Sequence, residues 1–338
     1  MEFAFEFLSE LYSVVVDSAP WLLFGFVAAG VIQLFISDDF VASHLGRGRF
    51  MPVLKSALLG VPLPICSCGV VPLAVGLRQR GASKGAALSF MISTPETGID
   101  SILYTSALLD PLMTVMRPIS AFISAVAAGV LETFFGGGEK KSGPAPLNIP
   151  TFKGGARTIP GMVAEALEYG LGNLYYSLSG YLAAGLVVAA LISALIPDGF
   201  FLQYLGDGFL GRLAMLAVAT PMYICATAST PIAAAMILKG LSPGAALVLL
   251  LAGPATNIAS ISALAGMMGW KTTLRYLLTI SVSALFMGWL VDELYRLMAI
   301  TPTAVLGGAA EAIPEWVGVL SALILFGAWL RILIKRGG

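Results

Sequence analysis

VLKSALLGVPLPICSCGVVPLAVGL (53–77) is apolar enough to enter a bilayer, yet it carries Pro62, Pro64, Gly69 and Pro72 at its centre. Proline removes a backbone donor and clashes with the preceding turn, so a single helix is hard to sustain across the stretch. Each flank is about 8–9 residues, roughly 13 Å at 1.5 Å per residue, which reaches about halfway through a ~30 Å hydrocarbon core. The segment reads as a re-entrant helical hairpin rather than a proline-kinked spanning helix. A second apolar segment, 84–108, is interrupted at Ser93-Thr94-Pro95-Glu96-Thr97-Gly98. Irregular backbone at membrane depth is tolerated only where protein or water covers it. Both breaks are therefore expected to wall a binding site.

The same pattern returns 159 residues later. Pro62, Ile65, Cys66 and Pro72 match Pro221, Ile224, Cys225 and Pro231; GASKGAAL (81–88) matches GLSPGAAL (240–247); STPETGIDSI (93–102) matches AGPATNIASI (252–261). From 62 to 102, 16 of 41 positions are identical without a gap. Chance similarity of apolar sequence does not keep Pro, Cys and Gly in register. Internal duplication with the substrate held between the repeats is a common plan for secondary transporters.

Composition agrees with a membrane chain. Hydrophobic residues make up 58% of the 338 and charged residues 11%, against about 25% charged in soluble proteins. Nineteen Lys plus Arg balance nineteen Asp plus Glu, so no net field attracts nucleic acid. Three cysteines form no disulfide framework. Disordered chains and secreted scaffolds are excluded with these. No Lys or Arg precedes Arg47, so no basic leader region and no cleavable signal peptide is expected. No phosphate-binding loop or dinucleotide fingerprint is present, and no cofactor is expected.

Apolar windows fall near 13–36, 53–77, 84–108, 111–135, 174–196, 211–237, 243–268, 272–298 and 315–334. The Gly-, Pro- and charge-rich stretch GGGEKKSGPAPLNIPTFKGGARTIPG (136–161) separates the fourth from the fifth. If all nine windows span, the 19 basic residues split 9 to 10 across the membrane. If 53–77 and 211–237 are re-entrant, 15 of 19 share one side, leaving Arg117, Arg212, Lys239 and Arg296 opposite. Short cytoplasmic loops are enriched in Lys and Arg, which favours the re-entrant arrangement. The expected fold is an all-α polytopic membrane protein with two inverted-topology repeats. Each repeat has about three transmembrane helices plus a re-entrant hairpin, and an extra C-terminal transmembrane helix follows. The first repeat covers 1–135, a flexible cytoplasmic linker 136–165, the second repeat 166–298 and the extra helix 299–338. The N-terminus is expected outside and the C-terminus in the cytoplasm, in a bacterial or archaeal inner membrane. The oligomeric state is left open.

All three cysteines lie in the repeat-matched broken segments: Cys66 and Cys68 in PLPICSCG, Cys225 in PMYICATA. Thiolate sulfur favours Cu(I), Zn(II) and other soft ions, so the three are candidate ligands of a metal or metalloid. A lone cysteine is more often a small buried hydrophobe. Glu96 is the acid in an otherwise apolar break; an ionisable group at mid-bilayer costs at least ~2.5–3.5 kcal/mol and faces the bundle interior. Its candidate roles are proton coupling, charge balance, or capping of the half-helix beside it. Asp100, four residues on, reads as sharing its helix face. The second repeat has Ala255 and Ala259 instead, but offers Thr256 and Asn257. Thr94, Thr97 and Thr227 complete the candidate substrate-binding set. His44 reads as a surface residue, Asp17 as interfacial, and Arg117 as pairing with Asp110 or snorkelling.

With PLPICSCGVVP, LRQRGASKGAALSF and STPETGIDSI in view, the sequence resembles the predicted-permease family that includes the ArsP organoarsenical exporters. It looks closest to the branch described as copper/zinc efflux transporters. The resemblance implies inner-membrane efflux of a thiophilic metal or metalloid. Its motif cysteines fall on Cys66 and Cys68, and its polar break on Thr94, Glu96 and Thr97.

The residues and the resemblance together lead to an expected secondary efflux permease, not an enzyme. Its partners are a small metal or metalloid substrate and the bilayer. Two alternatives stand beside it: a transporter of a small organic or sulfur-containing solute with structural cysteines, and an intramembrane thiol oxidoreductase.

Overall fold

The structure is a computed structural model of the 338-residue chain. It describes 48–136 apart from Pro64 and Cys66, 208–304 apart from 221–225 and Asn257, 315–337, and isolated positions within 12–46 and 161–175. Most of the linker, including 137–160, lies outside the described residues.

Eleven helices with stated bounds carry the described part. They are α1 (Met51–Gly60), α2 (Ser67–Gln79), α3 (Lys84–Glu96), α4 (Ile99–Leu108), α5 (Pro111–Phe135), α6 (Phe209–Ala219), α7 (Ala226–Leu238), α8 (Pro243–Ala255), α9 (Ile258–Met268), α10 (Trp270–Leu297) and α11 (Glu315–Gly337). The duplication read in the sequence reappears in these bounds. Helices α2 to α5 begin at 67, 84, 99 and 111; α7 to α10 begin 159 residues later, at 226, 243, 258 and 270.

Local chemistry repeats too. Ser83 accepts from the Ala86 amide at the start of α3, and Ser242 from the Ala245 amide at the start of α8, each satisfying an orphan helix donor. The turns before them use Gly81 at φ +99° and Gly240 at φ +96°, where a side chain would be strained. The stretch 61–66, with Pro62 and Pro64 in its sequence, separates α1 from α2 as expected, whereas Gly69 and Pro72 fall inside α2. The second break falls at Thr97 and Gly98, between α3 and α4. Helix α1, with 10 residues, is about 15 Å long, half the apolar thickness of a bilayer.

Helices α3 and α8 form the centre. Every residue from Gly85 to Glu96 and from Pro243 to Ala255 is buried, and the two helices touch. Each packs against its own half's longest helix, α3 on α5 and α8 on α10, through paired glycines. A Cβ at Gly85 would strike the Gly129 carbonyl, and one at Gly244 the Gly288 carbonyl, both far inside van der Waals contact. Gly244→Val is therefore expected to force α8 and α10 apart, costing about 1–3 kcal/mol or more. A lowered melting temperature in detergent would report it; an unchanged one would contradict the packing.

Helices α5 and α10, 25 and 28 residues, are long and apolar enough to cross a membrane. They run antiparallel. Asp110 at the start of α5 accepts from the Tyr295 hydroxyl near the end of α10 at 2.6 Å. Glu132 near the end of α5 accepts from Thr272 at 2.9 Å and from Arg275 at 2.6 Å near the start of α10. Their outer faces carry matched exposed stripes, Val115, Ile119 and Ile123 against Leu274, Leu278 and Val282. Such stripes are unfavourable in water and suited to lipid. The chain is an all-helical, multi-pass membrane protein over its described residues. In helix α11, Gly318 sits against Val16.

Candidate functional site

The last turn of α3 is built from SerThrPro-GluThr because each residue supports a helix that must stop there. Thr94 and Thr97 return their hydroxyls to the carbonyls of Phe90 and Ser93 at 2.8 and 2.7 Å. Pro95 offers no N–H to the preceding turn. Ser101 closes the break from the other side, donating to the carbonyls of Glu96 at 3.2 Å and Gly98 at 3.0 Å. In the second half, Thr256 repeats the pattern, donating to the Ala252 carbonyl at 2.7 Å. Gly60, the last residue of α1, lies so close to Ser93 and Thr94 that a side chain there would collide with both. The C-terminal end of α1 therefore abuts the last turn of α3.

Glu96 is the last residue of α3 and is 0% exposed. Neither of its carboxyl oxygens has a hydrogen-bond partner among the described residues. This removes the capping role: Gly98, not Glu96, precedes α4, and α4 has no side-chain cap. Burying a carboxylate in this way is costly unless a proton or a cation offsets it. Arg117 on α5 acts on it electrostatically, and Glu96 in turn acts on Tyr276 of α10.

Arg117 and Tyr276 occupy matched positions, 117 and 276. Arg117 neither pairs with Asp110 nor snorkels to the surface. It is 0% exposed and donates to Thr105 at 2.6 Å, Thr230 at 2.9 Å, the Ser101 carbonyl at 3.3 Å and the Ala226 carbonyl at 3.0 Å. Asp110 instead caps α5 through the Met113 amide and receives Tyr295. Tyr276 donates to the Ala255 carbonyl at 2.6 Å. Ala255 is the counterpart of Glu96, so the ends of α3 and α8 lie around these two side chains.

Among the predicted site residues, Thr94, Glu96, Thr97 and Thr256 are all buried at these two helix ends. Asp100 is the second residue of α4, on the far side of the break from Glu96. The two do not share one continuous helix face, because Gly98 intervenes. Cys68 and Thr227 are the second residues of α2 and α7. Cys66, Cys225, Asn257 and Asp17 lie outside the described residues. Ser67 and Ala226, which follow Cys66 and Cys225 in the chain, are each tied to the opposite half. Ser260 donates to the Ser67 carbonyl at 3.4 Å, and Arg117 to that of Ala226. Among the described residues no three His, Cys, Asp or Glu gather as a metal site. His44 is exposed and pairs with Ser43 at 2.9 Å, away from this region.

The sequence does not single out Tyr276, and it reads Arg117 only as pairing with Asp110 or snorkelling. The available signal was an arginine six residues inside an apolar span, which is a functional candidate by default.

A family model described as a predicted permease matches residues 4–293. The UPF0718 protein MJ0584 of Methanocaldococcus jannaschii is 22% identical, over 81% of this chain and 92% of that protein. The UPF0718 protein YraQ of Escherichia coli is 26% identical, over 74% and 71%. The UPF0718 protein YcgR of Bacillus subtilis is 35% identical over 25% of this chain and 28% of its own length. No solved structure matches.

Proposed function

Because this chain belongs to that predicted-permease family, we propose that it is a secondary efflux permease for a thiophilic metal or metalloid species, built from two inverted-topology halves. The halves are 1–135 and 166–298, joined by a cytoplasmic linker. Cys66 and Cys68 hold the cargo with Cys225 as a third sulfur ligand, while Thr94, Thr97, Thr227, Thr256 and Asn257 supply neutral oxygen and amide contacts. A mixed set exchanges its cargo faster than a closed all-thiolate cage. Glu96 takes up a coupling proton or balances charge, with Asp100 beside it across the break.

The observation that carries this reading is a buried acid at the end of the broken helix α3 that has no hydrogen-bond partner among the described residues, with the end of α8 held nearby through Tyr276. Antiparallel α5 and α10 support the inverted relation of the halves. In such transporters the site lies at the repeat interface and one half moves against the other. Two of the four basic residues that break the charge asymmetry, Arg117 and Arg212, are buried in protein rather than placed in a loop. That strengthens the orientation with the N-terminus outside and the C-terminus in the cytoplasm of an inner membrane. The outward direction follows from the resemblance of PLPICSCGVVP and STPETGIDSI to exporters.

Transport into everted vesicles tests the reading directly, with Cu(I), Zn(II) and a trivalent arsenical offered in turn. Wild type is expected to accumulate at least one of them, and C66S/C68S none, with equal protein in the membrane. Full transport by the double variant would remove the sulfur site. It would favour a second reading, a small organic solute recognised by the buried Arg117 guanidinium, with the cysteines as packing.

A further inference from the structure

We propose that Arg117 is a positioning residue: its guanidinium clamps the start of α7, the helix that Cys225 precedes in the sequence, onto the broken helix of the first half. The purpose of such a clamp rests on the transport site described above; the clamp itself rests on geometry.

Arg117 belongs to α5, and two of its acceptors, Thr105 and the Ser101 carbonyl, are on α4 of the same half. Its other acceptors are across the interface on α7. Nη1 donates to Thr230 at 2.9 Å and Nη2 to the Ala226 carbonyl at 3.0 Å. Ala226 opens α7 and follows Cys225. A guanidinium presents five donors in a rigid plane, so it can set the angle and separation of two helices in a way a lysine ammonium cannot. Hydrogen bonds from a charged donor are also roughly twice as strong as neutral ones.

Among the described residues the charged tie is made from one half. The matched residue, Tyr276, has one O–H and spends it on Ala255 in its own half. The mirror-image tie, between α9 and the start of α2, comes from a neutral hydroxyl, Ser260 to the Ser67 carbonyl at 3.4 Å. A fully buried arginine carries a desolvation cost, and fixing a register is the best-attested use of a buried charge. Here the register that it sets is that of α7 against α4.

Thiol labelling tests this without any need for transport, so a chain that moved no metal would still report it. In a full-length C66S/C68S chain, Cys225 is the single cysteine, and its rate of reaction with N-ethylmaleimide is measured in native membranes. R117Q is expected to speed labelling about tenfold, the worth of one charged hydrogen bond in an equilibrium. T230V, which keeps the charge and removes one acceptor, should move it about threefold in the same direction. In a C225S chain, labelling of Cys66 and Cys68 should not change with either substitution. Unchanged Cys225 labelling in both variants would overturn the clamp. So would an equal rise at Cys66, Cys68 and Cys225, which would mean general loosening. Should R117Q fail to accumulate, the T230V comparison decides alone.

Discussion

Glu96→Gln should abolish transport while leaving the chain at least as stable as wild type. The two effects have one cause. At 0% exposure and with no hydrogen-bond partner on either oxygen among the described residues, the acid makes no hydrogen bond that glutamine would lose, and its burial cost outweighs the attraction of Arg117. Removing an unpaired buried ionisable group is commonly neutral or stabilising. Function is the opposite case, because glutamine keeps the volume but can neither carry a proton nor balance a cation. Active groups retained at a cost to stability are the expected signature of a working site. Transport should fall at least tenfold, about 1.4 kcal/mol or more of lost coupling, with a melting temperature equal or higher. A variant that transports normally would assign Glu96 to packing. One that unfolds would show that unseen partners hold it.

Asp292→Ala should have the largest effect on stability. Asp292 receives Arg212 at 2.5 Å, the Gly244 amide at 2.6 Å and Ser242 at 3.3 Å. It therefore caps α8 from α10 while neutralising a guanidinium whose side chain is 7% exposed. Truncating it leaves that charge buried, a loss of about 3–5 kcal/mol for such pairs. The first half carries no charge at the matched positions. At the matched positions stand Val53 and Thr133, and Thr133 donates to the Gly129 carbonyl at 2.8 Å. Copying them, as R212V/D292T, should recover most of the stability that Asp292→Ala loses. Thermal melts of the three chains in detergent would check it; a double variant less stable than D292A would contradict the equivalence of the halves.

Much of this was legible in the chain itself. Pro62 and Pro64 mark the first break and Gly98 the second because backbone chemistry is local, while Gly69, Pro72 and Pro95 are carried inside helices, and the offset of 159 falls on the helix starts. Tertiary partners were not legible. The reading of Glu96 and Asp100 on one face failed because it extended a helix across Gly98. Arg117 lies three residues after Thr114 and near Asp110, so a local pairing was the natural expectation. Two of its actual partners, Thr230 and Ala226, are more than 100 residues away and are set only by how the halves meet. The polar ties of Glu132 to Arg275 and of Asp110 to Tyr295 were invisible for the same reason.

Cross-linking the halves tests the central claim most directly. A protease site placed in the 136–161 linker lets the chain be cut after treatment of native membranes with a short thiol-to-thiol reagent. If the two hairpins bring their cysteines to one site, the cut halves stay joined on a denaturing gel. Joining is then lost in C225S and in C66S/C68S, and blocked by prior metal or arsenical. If the halves separate in the wild-type chain, sulfur does not converge there and the proposed cargo site is wrong.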